Sequence, residues 1–293
     1  MISPSRWLWC VSWLAGTAIQ AQPIIWSSST QKSNNDSLGS QMDAGFSFQL
    51  GVFRNGFTPT LSNLSQWPAH WEMAGNTTYN VSASRFTGQI NATNNQTFAA
   101  GTPAWVFGFR DTPTGSEWIL FRHTTWLWPQ ADPLNPFPLS WSASAANQIV
   151  IGSIQPSGPL QMTSAEVKSW PQWQTAELTG ESANGPNHDP DGDGIPNLIE
   201  FALATPPRSG PPTPAIPVTH VDGRLEMSVP RKIGRMVNLS IEVSSNLTDW
   251  QSGLGITQEI SNTPTALTVR DAHPDTPLAS RRFIRLRATL PTP

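Results

Sequence analysis

The chain holds one cysteine, Cys10, and one tyrosine, Tyr79. A single thiol closes no disulfide within the chain, so a small cross-linked scaffold is excluded. Charge is scarce too: 13% of the 293 residues, against about 25% in an ordinary globular protein. That shortage, beside 28 prolines and 21 glycines, excludes a long coiled coil or helical bundle. The net charge of −3 announces no basic face for nucleic acid. The five histidines (70, 123, 188, 220 and 273) show no i,i+4 pair, so the spacing of a zinc hydrolase is missing. A nucleophile elbow, a P-loop and a dinucleotide fingerprint are missing as well.

What is present begins with a targeting pattern. Arg6 is the only charge before Lys32, and the run from Trp7 to Ile19 is apolar. About thirteen apolar residues are too few to span a bilayer and suit a signal-peptide core. Residues 1–21 are therefore expected to be a signal peptide cut after Ala21. The remaining chain would be exported, free of cysteine and without a transmembrane anchor. The polar stretch 22–40 reads as a flexible leader.

Residues 41–162 read as an N-terminal β domain. Phe46, Phe48, Leu50 and Val52 alternate with small or polar residues, the period of a half-buried strand. Further strands are expected over 79–90, 104–110, 117–123 and 148–154, with a short helical turn within 63–73. Short connections make a β-sandwich or jelly-roll the expected form. Residues 163–205 read as a helix, an acidic loop and a second helix, with Ser164 as the first cap. Residues 206–215 are a Pro-rich linker. Residues 216–293, with strands over 225–229, 237–243, 266–270 and 283–288, suit a small immunoglobulin-like β-sandwich. The expected fold class is mainly β.

The sharpest motif is Asp189-Pro190-Asp191-Gly192-Asp193-Gly194-Ile195-Pro196-Asn197-Leu198-Ile199-Glu200. Calcium takes six to eight oxygens, and carboxylates at alternate positions of a tight loop can converge on one point. Asp189, Asp191 and Asp193 have that spacing, and Gly194 permits the turn. Ile195 can offer its backbone carbonyl, Asn197 its amide oxygen, and Glu200 both carboxylate oxygens. Beyond residue 21 the acidic residues outnumber the basic by four, and this loop holds four carboxylates. Without a cation they would repel one another. The position after Ile195 is proline, which has no N–H for pairing with a second loop, so a paired calcium sensor is not expected.

The loop resembles the lone calcium loops of dockerin and thrombospondin type 3 modules. Together with the following Pro-rich break, Leu239–Trp250 and Arg282–Arg287, it resembles the C-terminal region of many secreted proteins of Verrucomicrobia and related bacteria. That resemblance covers about residues 170–290. It implies a calcium-braced module joined to a small β-sandwich. Met42–Phe53, Trp105–Phe109 and Glu117–Leu120 are similar to N-terminal domains of the same proteins, to which no activity is attached. The short anchoring tail usual there is not found, so release is expected.

Eleven tryptophans lie beyond residue 21. Trp105, Trp118, Trp126, Trp128 and Trp141 read mainly as core, with Trp126 and Trp128 the best placed for exposure to a sugar ring. Glu72, Asp111 and Glu117 are the carboxylates that a glycosidase site would need. Arg285 and Arg287 are expected on the outer face of the last strand. The expected function is a secreted, calcium-braced, non-catalytic bacterial protein in contact with a surface, matrix or glycan. The alternatives are a glycan-degrading enzyme or a carbohydrate-binding module, each with its site in the N-terminal domain.

Overall fold

The computed structural model describes residues 22–291 except 131, 133–136, 210–215, 264 and 275–280. The expected signal peptide and residues 210–215 of the expected linker lie outside the described residues. The N-terminal half carries strands β1 (Gln22–Ser27), β2 (Ser33–Asn35), β3 (Ser47–Phe53), β4 (Trp71–Thr78), β5 (Thr87–Ala92) and β6 (Ala104–Thr112). It continues with β7 (Gly115–Arg122), β8 (Leu139–Ser142), β9 (Gln148–Ile151), β10 (Ser153–Ile154), β11 (Leu160–Thr163) and β12 (Ala165–Val167). Helix α1 (Trp67–His70) precedes β4, and α2 (Trp170–Glu177) and α3 (Asn197–Leu203) follow β12. The C-terminal part holds β13 (Val218–Val221), β14 (Arg224–Pro230), β15 (Asn238–Ser244), β16 (Thr257–Asn262), β17 (Ala266–Asp271) and β18 (Phe283–Thr289). The protein is mainly β, in several sheets. None of the helices among the described residues is long and apolar enough to cross a membrane.

A six-stranded sheet, β12-β7-β6-β3-β4 with β9 also on β7, dominates the N-terminal unit. Its alternation is legible in β3: Phe48, Leu50 and Val52 are fully buried and point to one face. That face packs on the sheet β5-β1-β8 through Ile24 and Trp26. Trp105, Trp118 and Leu120 form a second cluster with Trp67, joined by Ile233 and Met236 from the C-terminal part. Trp67 stacks on Trp118 at 5.7 Å, and Phe107 meets Trp118 edge-on at 5.2 Å. The large rings demand small partners. Trp26 lies opposite Gly88 in the β1–β5 register, and a Cβ at Gly88 or Gly75 would run into its indole.

The leader is not a flexible segment. β1 pairs with β5 and, in parallel, with β8; β2 pairs with β11. Ile24 and Trp26 alternate with half-buried neighbours, and that short apolar period outweighs the polar composition around it. Asn34 is fully buried because its amide donates to Tyr79 Oη and the Ser84 carbonyl. The strand expected over 79–90 is divided: β4 ends at Thr78, and residues 79–86 turn back through Ser84 at φ 51°. Ser164 caps no helix. Residues 165–167 extend the six-stranded sheet as β12, and Ser169 caps α2 one turn later, in a reciprocal box with Gln172. The strands of the N-terminal sheets therefore run from Gln22 to Val167.

In the C-terminal part, the sheet β13-β14-β17-β16 faces the pair β15-β18. Met227, Val229, Ile241, Leu267 and Val269 are buried between them, together with Leu203 of α3. Arg285 and Arg287 lie on β18 as expected, but both bind the buried Glu242 carboxylate, at 2.7 and 3.0 Å. Replacing Gly88 by alanine is expected to cost about 1–3 kcal/mol through overpacking against Trp26. Urea denaturation measures it, and an unchanged midpoint would contradict this packing.

Candidate metal centre

The acidic loop is wound by its own side chains. Asp189 accepts from the Gly192 and Gly194 N–H groups at 2.9 and 2.8 Å. Asp191 Oδ1 accepts from Asp193 N at 3.2 Å, and Asp193 Oδ1 from Ile195 N at 2.8 Å. Gly192 and Gly194 sit at φ 73° and 90°, a region that favours glycine. The result is convergence: one carboxylate oxygen each from Asp189, Asp191 and Asp193 lie within 4.8 Å of one another.

Beneath them are two fully buried polar side chains, Asn197 and Glu200. Asn197 Nδ2 donates to the Ala183 and Gly185 carbonyls, both at 2.9 Å. That fixes the amide, and its Oδ1 has no hydrogen-bond partner. Neither oxygen of Glu200 has one, nor does Asp191 Oδ2. Burial, then the charges of Asp191, Asp193 and Asp189, push the Glu200 pKa up to about 8. A buried carboxylate without donors must either hold a proton or face a cation.

The six residues singled out in the sequence are thus partly assembled. The three aspartates share a focus, while Glu200 lies outside that tight triple and within reach of its field. Asn197 is buried and oriented. Ile195 is half-buried and bound through its N–H. His188 Nδ1 accepts from Gly185 N at 3.1 Å, so that nitrogen serves the turn before the loop. The donor set is all oxygen, and the unpartnered buried oxygens fit a hard divalent ion.

Sequence reasoning missed how this centre is anchored. Phe201, next to Glu200, is fully buried and meets the rings of Trp170 and Trp173 at 5.8 and 5.5 Å. The Arg235 guanidinium lies 5.8 Å from the Phe201 ring centroid, and one of its nitrogens is 3.5 Å from Glu166. Lys168 N donates to the Gly234 carbonyl at 2.8 Å, and Met236 N to the Lys168 carbonyl at 2.9 Å. Leu203 of the same helix enters the C-terminal core. One seven-residue helix therefore touches the acidic loop, α2 and the C-terminal sheets. The signal was present as Trp170, Trp173 and Phe201, but nothing in their spacing names Arg235.

The other candidates disperse. Glu117 accepts from Ser37 N at 2.9 Å and from the Ser37 and Ser164 hydroxyls, both at 2.5 Å. It is a clasp between the first turn and the sheet. Glu72 on β4 is paired with Arg54 at 3.6 Å. β4 and β7 are separated by β3 and β6, about 14 Å at the usual strand spacing. Asp111 lies opposite Ser116, on the face opposite to Glu117. These carboxylates do not form the pair that glycoside hydrolysis needs, about 5–9.5 Å apart. Trp126 and Trp128, expected as the most exposed indoles, are 4% and 2% exposed, because Trp126 stacks on Trp141 and Trp128 packs against Phe98. Among the described residues no tryptophan is exposed; Trp71 and Trp250 are half-buried. Compared with protein-family models, curated proteins and solved structures, the chain matches none.

The raised pKa of Glu200 has a measurable sign. Between about pH 4.5 and 8 the metal-free folded state keeps a proton that the unfolded chain has lost. Stability in chelator should therefore fall as pH rises through this window. Melting temperatures in chelator are expected to be higher at about pH 5.5 than at about pH 8, and Glu200→Gln should shrink the difference. Equal slopes in the two proteins would contradict the assignment.

Proposed function

We propose that the protein is an exported, non-catalytic bacterial protein whose two β units are braced by one calcium ion. Asp189, Asp191, Asp193, Asn197, Glu200 and the Ile195 carbonyl are its ligands. The observation that carries this reading is Glu200: a fully buried carboxylate with both oxygens unpartnered, under a focus of three aspartates. Calcium answers that arrangement because it neutralises several carboxylates at once and accepts a high, irregular coordination number. The bound ion fixes α3. Through Phe201, Leu203 and Arg235 the helix then holds the N-terminal sheet against the C-terminal strands. We read the opposed sheets of the N-terminal unit as a β-sandwich and those of the C-terminal part as an immunoglobulin-like one.

Export is supported by the signal-like residues 1–21. Single calcium loops of extracellular modules bind at about 10⁻⁴–10⁻³ M, which suits calcium levels outside a cell. The resemblance to the C-terminal regions of Verrucomicrobia proteins agrees with this placement. The work of the molecule is contact with a cell surface or matrix, with glycan as one such component. Buried indoles leave stacking on sugar rings a small part in it.

Calcium titration followed by melting tests the reading. At 100 times the dissociation constant, an ion that binds only the folded state adds about 2.7 kcal/mol, roughly 5 °C for a chain of this size. Chelator should remove the gain, and Asp193→Ala should abolish most of it. A melting curve indifferent to calcium and chelator would overturn the brace.

A further inference from the structure

The four-stranded sheet β13-β14-β17-β16 is opposed by two strands only, and β18 lies over β14. Beside β15, where a third strand of the smaller sheet would run, there is a groove of about 510 Å³. Leu239 and Ile241 of β15 form one wall, and Leu267 and Val269 of β17 lie across from them. Leu61 and Leu64 of the N-terminal unit also line it, and its rim is polar, with Arg231, Lys232, Glu259 and Asn262. The volume lies within the range of ligand sites, about 300–1,000 Å³, and such sites favour junctions between domains.

The backbone of β15 states what the groove would accept. β15 pairs with β18 along one edge. On the other edge Val243 exchanges both its backbone bonds with Gln251, at 2.8 and 3.0 Å. In an antiparallel strand the backbone groups of alternate residues point the same way. The N–H and C=O groups of Ile241 and Leu239 therefore face the groove side, and they have no partner among the described residues. β15 carries no proline or lysine, its register with β18 has no bulge, and its one charge, Glu242, is paired with Arg285 and Arg287. An oily small molecule would cover the apolar wall but strip water from these backbone groups without replacing their bonds, at about 1–3 kcal/mol for each group. A helix has no free backbone groups to offer. An extended backbone supplies donors and acceptors at the two-residue period of β15 and turns alternate side chains toward the core.

We propose that this groove docks an extended peptide segment of a partner, added as a third strand beside β15 with its alternate apolar side chains over Leu267 and Val269. The proposal is independent of the calcium reading. The test uses the full chain and a displayed library of random peptides. Enriched peptides should show apolar residues at every second position, beyond the frequency in the starting library. Their binding is then compared in two variants. Leu239→Pro removes a groove-facing N–H and no bond of the β15–β18 ladder, whereas Leu239→Ala keeps that N–H and trims the wall. Binding is expected to fall about tenfold more in the proline variant than in the alanine variant, with both still melting cooperatively. No enrichment, peptides without the two-residue period, or equal losses in the two variants would overturn the proposal. The last outcome would instead assign the groove to a small apolar ligand. Should the proline variant fail to melt cooperatively, amide exchange decides with the native chain: a bound peptide must slow Leu239 and Ile241, and unchanged rates would refute strand addition.

Discussion

The side chain of Glu200 sets the terms for the middle of this molecule. Water is excluded from it, and neither of its oxygens has a protein donor. Ionised in that place, it would face a desolvation cost and the repulsion of three aspartates with nothing to offset them. Two states relieve the conflict, a protonated Glu200 or a cation among the carboxylates. The same helix turn carries Phe201 and Leu203 into two different hydrophobic clusters. Whatever satisfies Glu200 therefore also decides how firmly α3 holds the β units. In the account proposed above that partner is calcium, and the energy of binding is spent on the junction rather than on a reaction.

Stability elsewhere is built from aromatic rings fitted against glycine. Trp26 rests over Gly75 and Gly88, and Phe48 over Gly108. Such pairs leave little tolerance for added atoms, and they give a chain with no disulfide its rigid core. The polar contribution comes from hydrogen-bonded groups: the Asn34 amide nitrogen under Tyr79, the half-buried Glu117 between Ser37 and Ser164, and the buried Glu242 between two arginines. The Arg235 side chain differs from these. It is nearly buried, pairs with Glu166, and still leaves Nε without a partner, so its position depends on the packing of Phe201 beneath it.

Several parts of this arrangement were legible in the residues. The period of Phe46 to Val52 gave β3, and the strands expected over 225–229, 237–243, 266–270 and 283–288 fall on β14, β15, β17 and β18. The acidic loop was legible because its chemistry is local: twelve consecutive residues carry both the ligand types and the glycines that turn the chain. What stayed hidden depends on distant partners. β1 and β2 lie in a polar stretch, and their pairing comes from β5, β8 and β11, which lie far along the chain. Ser164 and Ser169 offer similar capping chemistry, and the choice between them is made by β12 pairing with β7. Trp126 and Trp128 look exposed in a Pro-rich stretch, yet Trp141 and Phe98 cover them. The carboxylates Glu72, Asp111 and Glu117 lie in one domain by sequence, and only strand order and face show that they never meet.

The central claim is that an ion completes the shell around Glu200. Anomalous diffraction from crystals grown in calcium tests it most directly. The account predicts one strong peak, coordinated by Asp189, Asp191, Asp193 and both oxygens of Glu200. A loop with no peak, and with Glu200 turned toward protein donors, would contradict it.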